Sequence, residues 1–83
     1  MIHKVVDDDR LGSAVATLAE RLAQGPTRSY GLTRRALRQG LHSSLSESLK
    51  REREDQRTAG LTDDFAEGVR AFKEKRTAAF TGR

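Results

Sequence analysis

The chain has 83 residues, of which 35% are hydrophobic and 34% charged, with no Cys, no Trp and one Pro. This length suits one small domain, and the lack of Cys excludes disulfide scaffolds, zinc–thiolate sites and thiol chemistry. No apolar run approaches the roughly 18–20 residues of a membrane span, and the first residues lack a signal peptide's apolar stretch, so we expect a cytoplasmic protein. Sixteen Lys and Arg against twelve Asp and Glu give a net charge of +4, which permits an anionic partner without identifying one.

The chain opens with a pattern typical of a half-buried strand. Residues 1–6 alternate apolar and polar side chains at first and end in two β-branched residues. Nothing later in the chain resembles a second strand, so this strand would need a partner sheet. Asp7, Asp8 and Asp9 then offer capping oxygens and negative charge for a first helix, which the apolar spacing predicts to run to about Gln24.

The second helix is predicted mainly from the residues at its start. Gly25 is a suitable C-cap for the first helix, and Pro26 suits the first turn of the next, where its missing N–H has no partner to lose. The spacing of apolar residues then predicts a helix over residues 27–39.

A capping box marks the start of the third helix. Ser44 and Glu47 have the Ser-x-x-Glu spacing in which two helix-end N–H groups are satisfied reciprocally. The helix should end near Ala59. Its apolar stripe is thin and its charges alternate in sign, so we expect it to be mostly solvated or to pack on a polar surface.

The fourth helix has the clearest amphipathic pattern. Thr62 is its predicted N-cap, and Phe65, Val69 and Phe72 follow at i, i+4 and i+7, with an end near Arg76. On this pattern alone, Phe72 is more often a core residue than a ligand contact. The expected fold class is therefore mainly α, with one short N-terminal strand followed by about four helices.

The polar residues provide no evident catalytic or metal site. General acid–base catalysis needs a carboxyl group in a partly apolar pocket, whereas the Glu residues lie among charges or at helix starts. His3 and His42 are far apart in sequence and have no acidic residue at ligand spacing. The glycines form no phosphate-binding motif. We therefore expect no catalytic residue, no metal and no cofactor within this chain.

A basic face on the second helix leaves another function open. Four arginines of this segment could converge and bind nucleic acid through its phosphates: Arg28, Arg34, Arg35 and Arg38. A solvated helix face with carboxylates nearby is the commoner explanation of such a charge run, so nucleic acid is the less favoured partner. A stand-alone basic helical interaction module remains the alternative hypothesis, and self-association alone is a third.

The most specific signal lies near the end of the chain. Residues 67–76 read Glu-Gly-Val-Arg-Ala-Phe-Lys-Glu-Lys-Arg, and residues 80–83 read Phe-Thr-Gly-Arg. This pattern resembles the C-terminal end of the enoyl-CoA hydratase/isomerase (crotonase) family, and the preceding segments follow the order expected for that family. Within the family, residues 52–60 and 64–68 most resemble the ring 1,2-epoxyphenylacetyl-CoA isomerases of phenylacetate breakdown.

The resemblance implies a supporting role in an acyl-CoA enzyme. Residues 1–83 would form a single helical region, at the C-terminal end of a ββα spiral fold, that builds a trimer-type homo-oligomer and acts as a lid over the CoA site. The family's catalytic core would be absent, so we expect a fragment, or a product of an internal start, that is inactive alone. By position in the closing motif, Phe72 and Lys75 match residues that approach the adenine and phosphates of CoA. Acyl-CoA enters as the substrate of the parent enzyme.

Overall fold

The computed structural model describes residues 2–83, and a short 3₁₀ turn at Asp8–Arg10 precedes the helices. The four α-helices are α1 (Leu11–Ala23), α2 (Thr27–Gly40), α3 (Leu45–Gly60) and α4 (Asp63–Glu74). The prediction of a mainly α fold with four helices is confirmed, and each observed helix end lies close to the predicted one.

The N-terminal segment differs from the sequence prediction. Met1 lies outside the described residues, and residues 2–7 are in neither a strand nor a helix. A strand is stable only when its N–H and C=O groups pair with a neighbouring strand, and residues 2–83 contain no strand that could serve. The strand prediction is therefore wrong for residues 2–6 of this chain, whose β-branched side chains lie on the surface or only partly covered.

The start of α1 also differs from expectation. The sequence predicts that the acidic run supplies capping oxygens, but Asp7 makes no capping hydrogen bond through its side chain. Instead the N–H of Arg10 donates to the carbonyl of Asp7 at 2.9 Å and closes the 3₁₀ turn. The carboxylates of Asp8 and Asp9 still lie just before the helix, where its dipole favours negative charge.

The predicted caps of α3 and α4 are confirmed. The N–H of Glu47 donates to Ser44 Oγ at 3.2 Å, and the N–H of Ser44 donates to Glu47 Oε2 at 2.8 Å. The hydrogen bond from the Ser44 N–H, and a second one from Ser44 Oγ to Glu47 Oε2 at 2.9 Å, hold the pKa of Glu47 below its ordinary value because they favour the ionised carboxylate. At α4, the N–H of Phe65 donates to Thr62 Oγ1 at 3.1 Å.

The helices form an open, thin layer. The radius of gyration is 16.0 Å and the extents are 45 × 38 × 19 Å, whereas a compact chain of this length would have a radius of gyration of about 12 Å. The main contacts between helices join α2 to α3 and α3 to α4, while α1 continues directly from the 3₁₀ turn before it. Among residues 2–83, the buried hydrophobic residue is Ala71, at 2% exposure. Each helix therefore keeps an apolar face uncovered.

No helix within residues 2–83 combines the length and apolar character that crossing a membrane requires.

Candidate functional site

The two residues that the resemblance associates with CoA lie together at the C-terminal end of α4. Phe72 is 85% exposed, so the interpretation of its ring as a core residue does not hold within this chain. Lys75 follows the last helical residue, because α4 ends at Glu74 rather than near Arg76. Phe72 therefore lies in the last turns of the helix and Lys75 in the turn after it. Both side chains are exposed and accessible to a ligand.

The turn at Lys75 has an unusual backbone. The N–H of Arg76 donates to the carbonyl of Ala71 at 3.0 Å, and the N–H of Lys75 donates to the carbonyl of Phe72 at 3.3 Å. This is the Schellman pattern, and it places Lys75 in the left-handed region at φ 55° and ψ 40°. Glycine usually occupies this position, because a side chain there costs about 1–2 kcal/mol. Among residues 2–83, Lys75 is the one non-glycine residue with positive φ.

Glu67 holds the residue that follows Lys75. Its Oε1 accepts a hydrogen bond from Arg76 Nη1 at 2.6 Å, and its Oε2 accepts one from Arg76 Nη2 at 3.1 Å. This is the bidentate geometry that guanidinium and carboxylate groups favour. The N–H of Ala79 also donates to Oε1 at 2.9 Å. The hydrogen bonds from Arg76 and then Ala79 lower the pKa of Glu67 to about 2, and the same carboxylate raises the pKa of Arg76. The pair stays ionised near neutral pH.

Asp64 holds the last residues of the chain. Its carboxylate is buried, with the residue 3% exposed, and it accepts from the N–H groups of Thr81 at 2.7 Å and Gly82 at 2.9 Å. The N–H of Asp64 in turn donates to the carbonyl of Arg83 at 2.8 Å. Residues 76–83 therefore run back along α4 and help to satisfy its first N–H groups. We call residues 62–83 the α4 unit.

Phe80 fixes the middle of the returning segment. A Cβ atom built on Gly68 of α4 would lie 3.7 Å from the Phe80 ring, so the ring lies over the helix at ordinary contact distance. The ring is half-buried. It packs on the helix face while Asp64 and Glu67 hold the backbone on either side of it.

The arginines of α2 lie on an exposed surface, and one is paired with an acidic residue. Arg35 Nη2 donates to Asp55 Oδ1 of α3 at 2.9 Å, which links the two helices. Arg28, Arg34 and Arg38 are exposed. The expected solvated face with a carboxylate nearby is thus observed for Arg35.

The amino-acid sequence does not reveal that Asp64, Glu67 and Arg76 form a cluster. Two carboxylates three residues apart on one helix, followed by an arginine nine residues after the second, were the available signal. It was weak because the other partners are backbone N–H groups 12 to 18 residues away. Within residues 2–83, no three His, Asp or Glu side chains are placed to hold a metal ion.

The sequence profile of the enoyl-CoA hydratase/isomerase family matches residues 1–83. The chain belongs to the enoyl-CoA hydratase/isomerase family. It is 42% identical over all 83 residues to 1,2-epoxyphenylacetyl-CoA isomerase of Escherichia coli, and 32% identical over the same length to trans-2-decenoyl-[acyl-carrier-protein] isomerase of Streptococcus mutans. In both cases the chain covers 32% of the relative.

The fold agrees with solved members of the family. The chain superimposes on a crystal structure of an enoyl-CoA hydratase/isomerase homologue from Mycobacterium abscessus with a TM-score of 0.94 and 33% identity. This similarity covers 99% of the chain and 32% of that protein. The family prediction made from the closing motif is confirmed, and the chain spans about one third of the length of the relatives it matches.

Proposed function

We propose that this chain supplies the helical C-terminal part of an enoyl-CoA hydratase/isomerase family enzyme that acts on unsaturated acyl-CoA thioesters. Its role is to form contacts between subunits and to cover the CoA site. The observation that carries this proposal is the uncovered apolar surface. All four helices expose large hydrophobic side chains, and among residues 2–83 the buried hydrophobic residue is a single alanine, Ala71. Apolar faces this extensive are stable in water only when further protein covers them.

The α4 unit provides the proposed contact with CoA. Stacking of the adenine on the exposed ring of Phe72 would contribute about 1–3 kcal/mol. The ammonium of Lys75, a point charge on a flexible stem, suits the CoA phosphates. An aromatic ring and a cation at one end of a well-anchored helix thus match the two chemically distinct parts of the nucleotide.

The choice of a CoA thioester follows from the relatives. The E. coli relative is named for a CoA substrate and the S. mutans relative for an acyl-carrier-protein substrate, and the first shares the higher identity. We therefore propose an isomerisation of the 1,2-epoxyphenylacetyl-CoA type. The reaction would proceed by stabilising a thioester enolate with paired N–H donors while carboxylates move protons, all supplied by other parts of the protein.

A chimera tests the proposal. In it, this chain replaces the aligned 83 residues of the E. coli isomerase. We expect the chimera to assemble to the same oligomeric mass as the parent by light scattering and to retain isomerase turnover. The separate 83-residue chain should show no turnover. An assembled chimera that cannot bind CoA, or turnover by the separate chain, would contradict the proposal.

The CoA contact has its own test in the chimera. Phe72→Ala and Lys75→Ala should each weaken CoA binding about tenfold, in line with the loss of one stacking or one phosphate contact. Lys73→Ala is the matched control, because it removes a nearby exposed lysine of α4 and should leave the affinity within about twofold. Unchanged CoA affinity in both test variants would show that Phe72 and Lys75 do not contact CoA.

A further inference from the structure

We propose that Glu67 and Arg76 are positioning residues for Lys75, and that their ion pair fixes the left-handed turn that directs the Lys75 ammonium. This inference rests on the proposed function, because the position of Lys75 matters for binding only if Lys75 contacts CoA. Neither Glu67 nor Arg76 is required to touch the ligand; both would act through the backbone.

The turn at Lys75 needs support from its surroundings. Any residue other than glycine is disfavoured at the observed φ of 55°, so a free chain end would leave this conformation readily. The ammonium would then sample many directions and would lose the advantage of a pre-arranged contact. Whatever holds the turn therefore also determines how well Lys75 is placed.

The structure shows Lys75 held on both sides. Its preceding residue, Glu74, is the last residue of α4. Its following residue, Arg76, is fixed through its backbone N–H to Ala71 and through its guanidinium to both oxygens of Glu67. With both neighbours anchored, the Lys75 backbone has little freedom to rotate.

Glu67 and Glu74 both contact Arg76, but they differ in environment. The side chain of Glu67 is 15% exposed and binds through two oxygens, whereas that of Glu74 is 52% exposed and binds through Oε2 at Nε alone. Exposed single contacts contribute little, because solvent screens the charges and the side chains are mobile. Glu67 is therefore the proposed anchor, and Glu74 provides the matched control.

A double-mutant cycle in the chimera tests the inference, with CoA and adenosine 3′,5′-bisphosphate as the titrated ligands. Glu67→Gln should weaken CoA binding about fivefold, while Glu74→Gln should change it by less than about twofold. When Lys75→Ala is already present, Glu67→Gln should cause almost no further loss, because it acts through a side chain that has been removed. The bisphosphate should show the same pattern, since it contains the adenine and phosphates but no thioester arm.

Two outcomes separate this inference from the proposed function. Suppose that Lys75→Ala weakens CoA binding, and that Glu67→Gln weakens it by the same factor whether or not Lys75→Ala is present. Glu67 then does not position Lys75, and only this inference is overturned. If Lys75→Ala leaves CoA affinity unchanged, the CoA role of Lys75 and its positioning fall together. Should the Glu67→Gln variant fail to fold, the Arg76→Lys variant is used in its place, because lysine keeps the positive charge but cannot form the bidentate ion pair with Glu67. The same cycle with Lys75→Ala then decides.

Discussion

Replacing Lys75 with glycine should stabilise the protein and, under the proposed function, weaken the binding of CoA. Lys75 has a φ of 55°, a conformation that costs a side chain about 1–2 kcal/mol and costs glycine almost nothing. Glycine also gains more freedom in the unfolded chain, which offsets roughly 0.5–1 kcal/mol of that gain. The expected net stabilisation therefore lies between zero and about 1.5 kcal/mol, with a middle value of about 0.8 kcal/mol.

The measurement is urea unfolding of the chimera and of its Lys75→Gly variant, at equal protein concentration. A higher midpoint with an unchanged slope would report the gain in the free energy of unfolding. Lys73→Gly is the matched control: Lys73 lies within α4, where glycine should cost up to about 1 kcal/mol. Under the proposed function, CoA affinity should fall in the Lys75 variant alone. If both glycine variants lower the midpoint equally, Lys75 does not occupy a left-handed turn and the reasoning fails.

Three further predictions concern the glycines and the carboxylates that shape the chain, each measured in the chimera. Gly25→Ala should destabilise by about 1 kcal/mol or more in urea unfolding because its Cβ would overlap the hydroxyl and ring of Tyr30, whereas Gly68→Ala should be neutral or stabilising. Asp64→Asn should cost about 1–3 kcal/mol and speed hydrogen exchange at the last amides, since one buried oxygen acceptor is replaced by a donor; unchanged exchange would contradict this. Glu67 should stabilise the protein fully above pH 4.5 and lose that contribution as pH falls towards 2, so the stability difference from Glu67→Gln should shrink across that range.

The sequence was sufficient to predict the helices because their signals are local. The Ser44–Glu47 box and the Thr62 cap lie within four residues of the groups they satisfy, and each appears in the structure as predicted. The family was predicted from residues 67–76 and 80–83, and the family match confirms it.

The features that could not be predicted depend on distant groups. Residues 2–6 have the composition of a strand, yet a strand forms only where a second one is available to pair with it. The left-handed turn at Lys75 lacked the usual glycine signal. The burial of Asp64 depends on backbone N–H groups 17 and 18 residues later, which no periodic pattern encodes.

The hydrogen bonds that close the α4 unit have a kinetic consequence. They join residues separated by at most about 19 positions, so closing the loop requires little chain entropy compared with contacts between distant segments. Local structures of this size form on the order of microseconds, well before larger assemblies associate. Under the proposed function, the surface that carries Phe72 and Lys75 would therefore be complete before α1, α2 and α3 meet the protein that covers them.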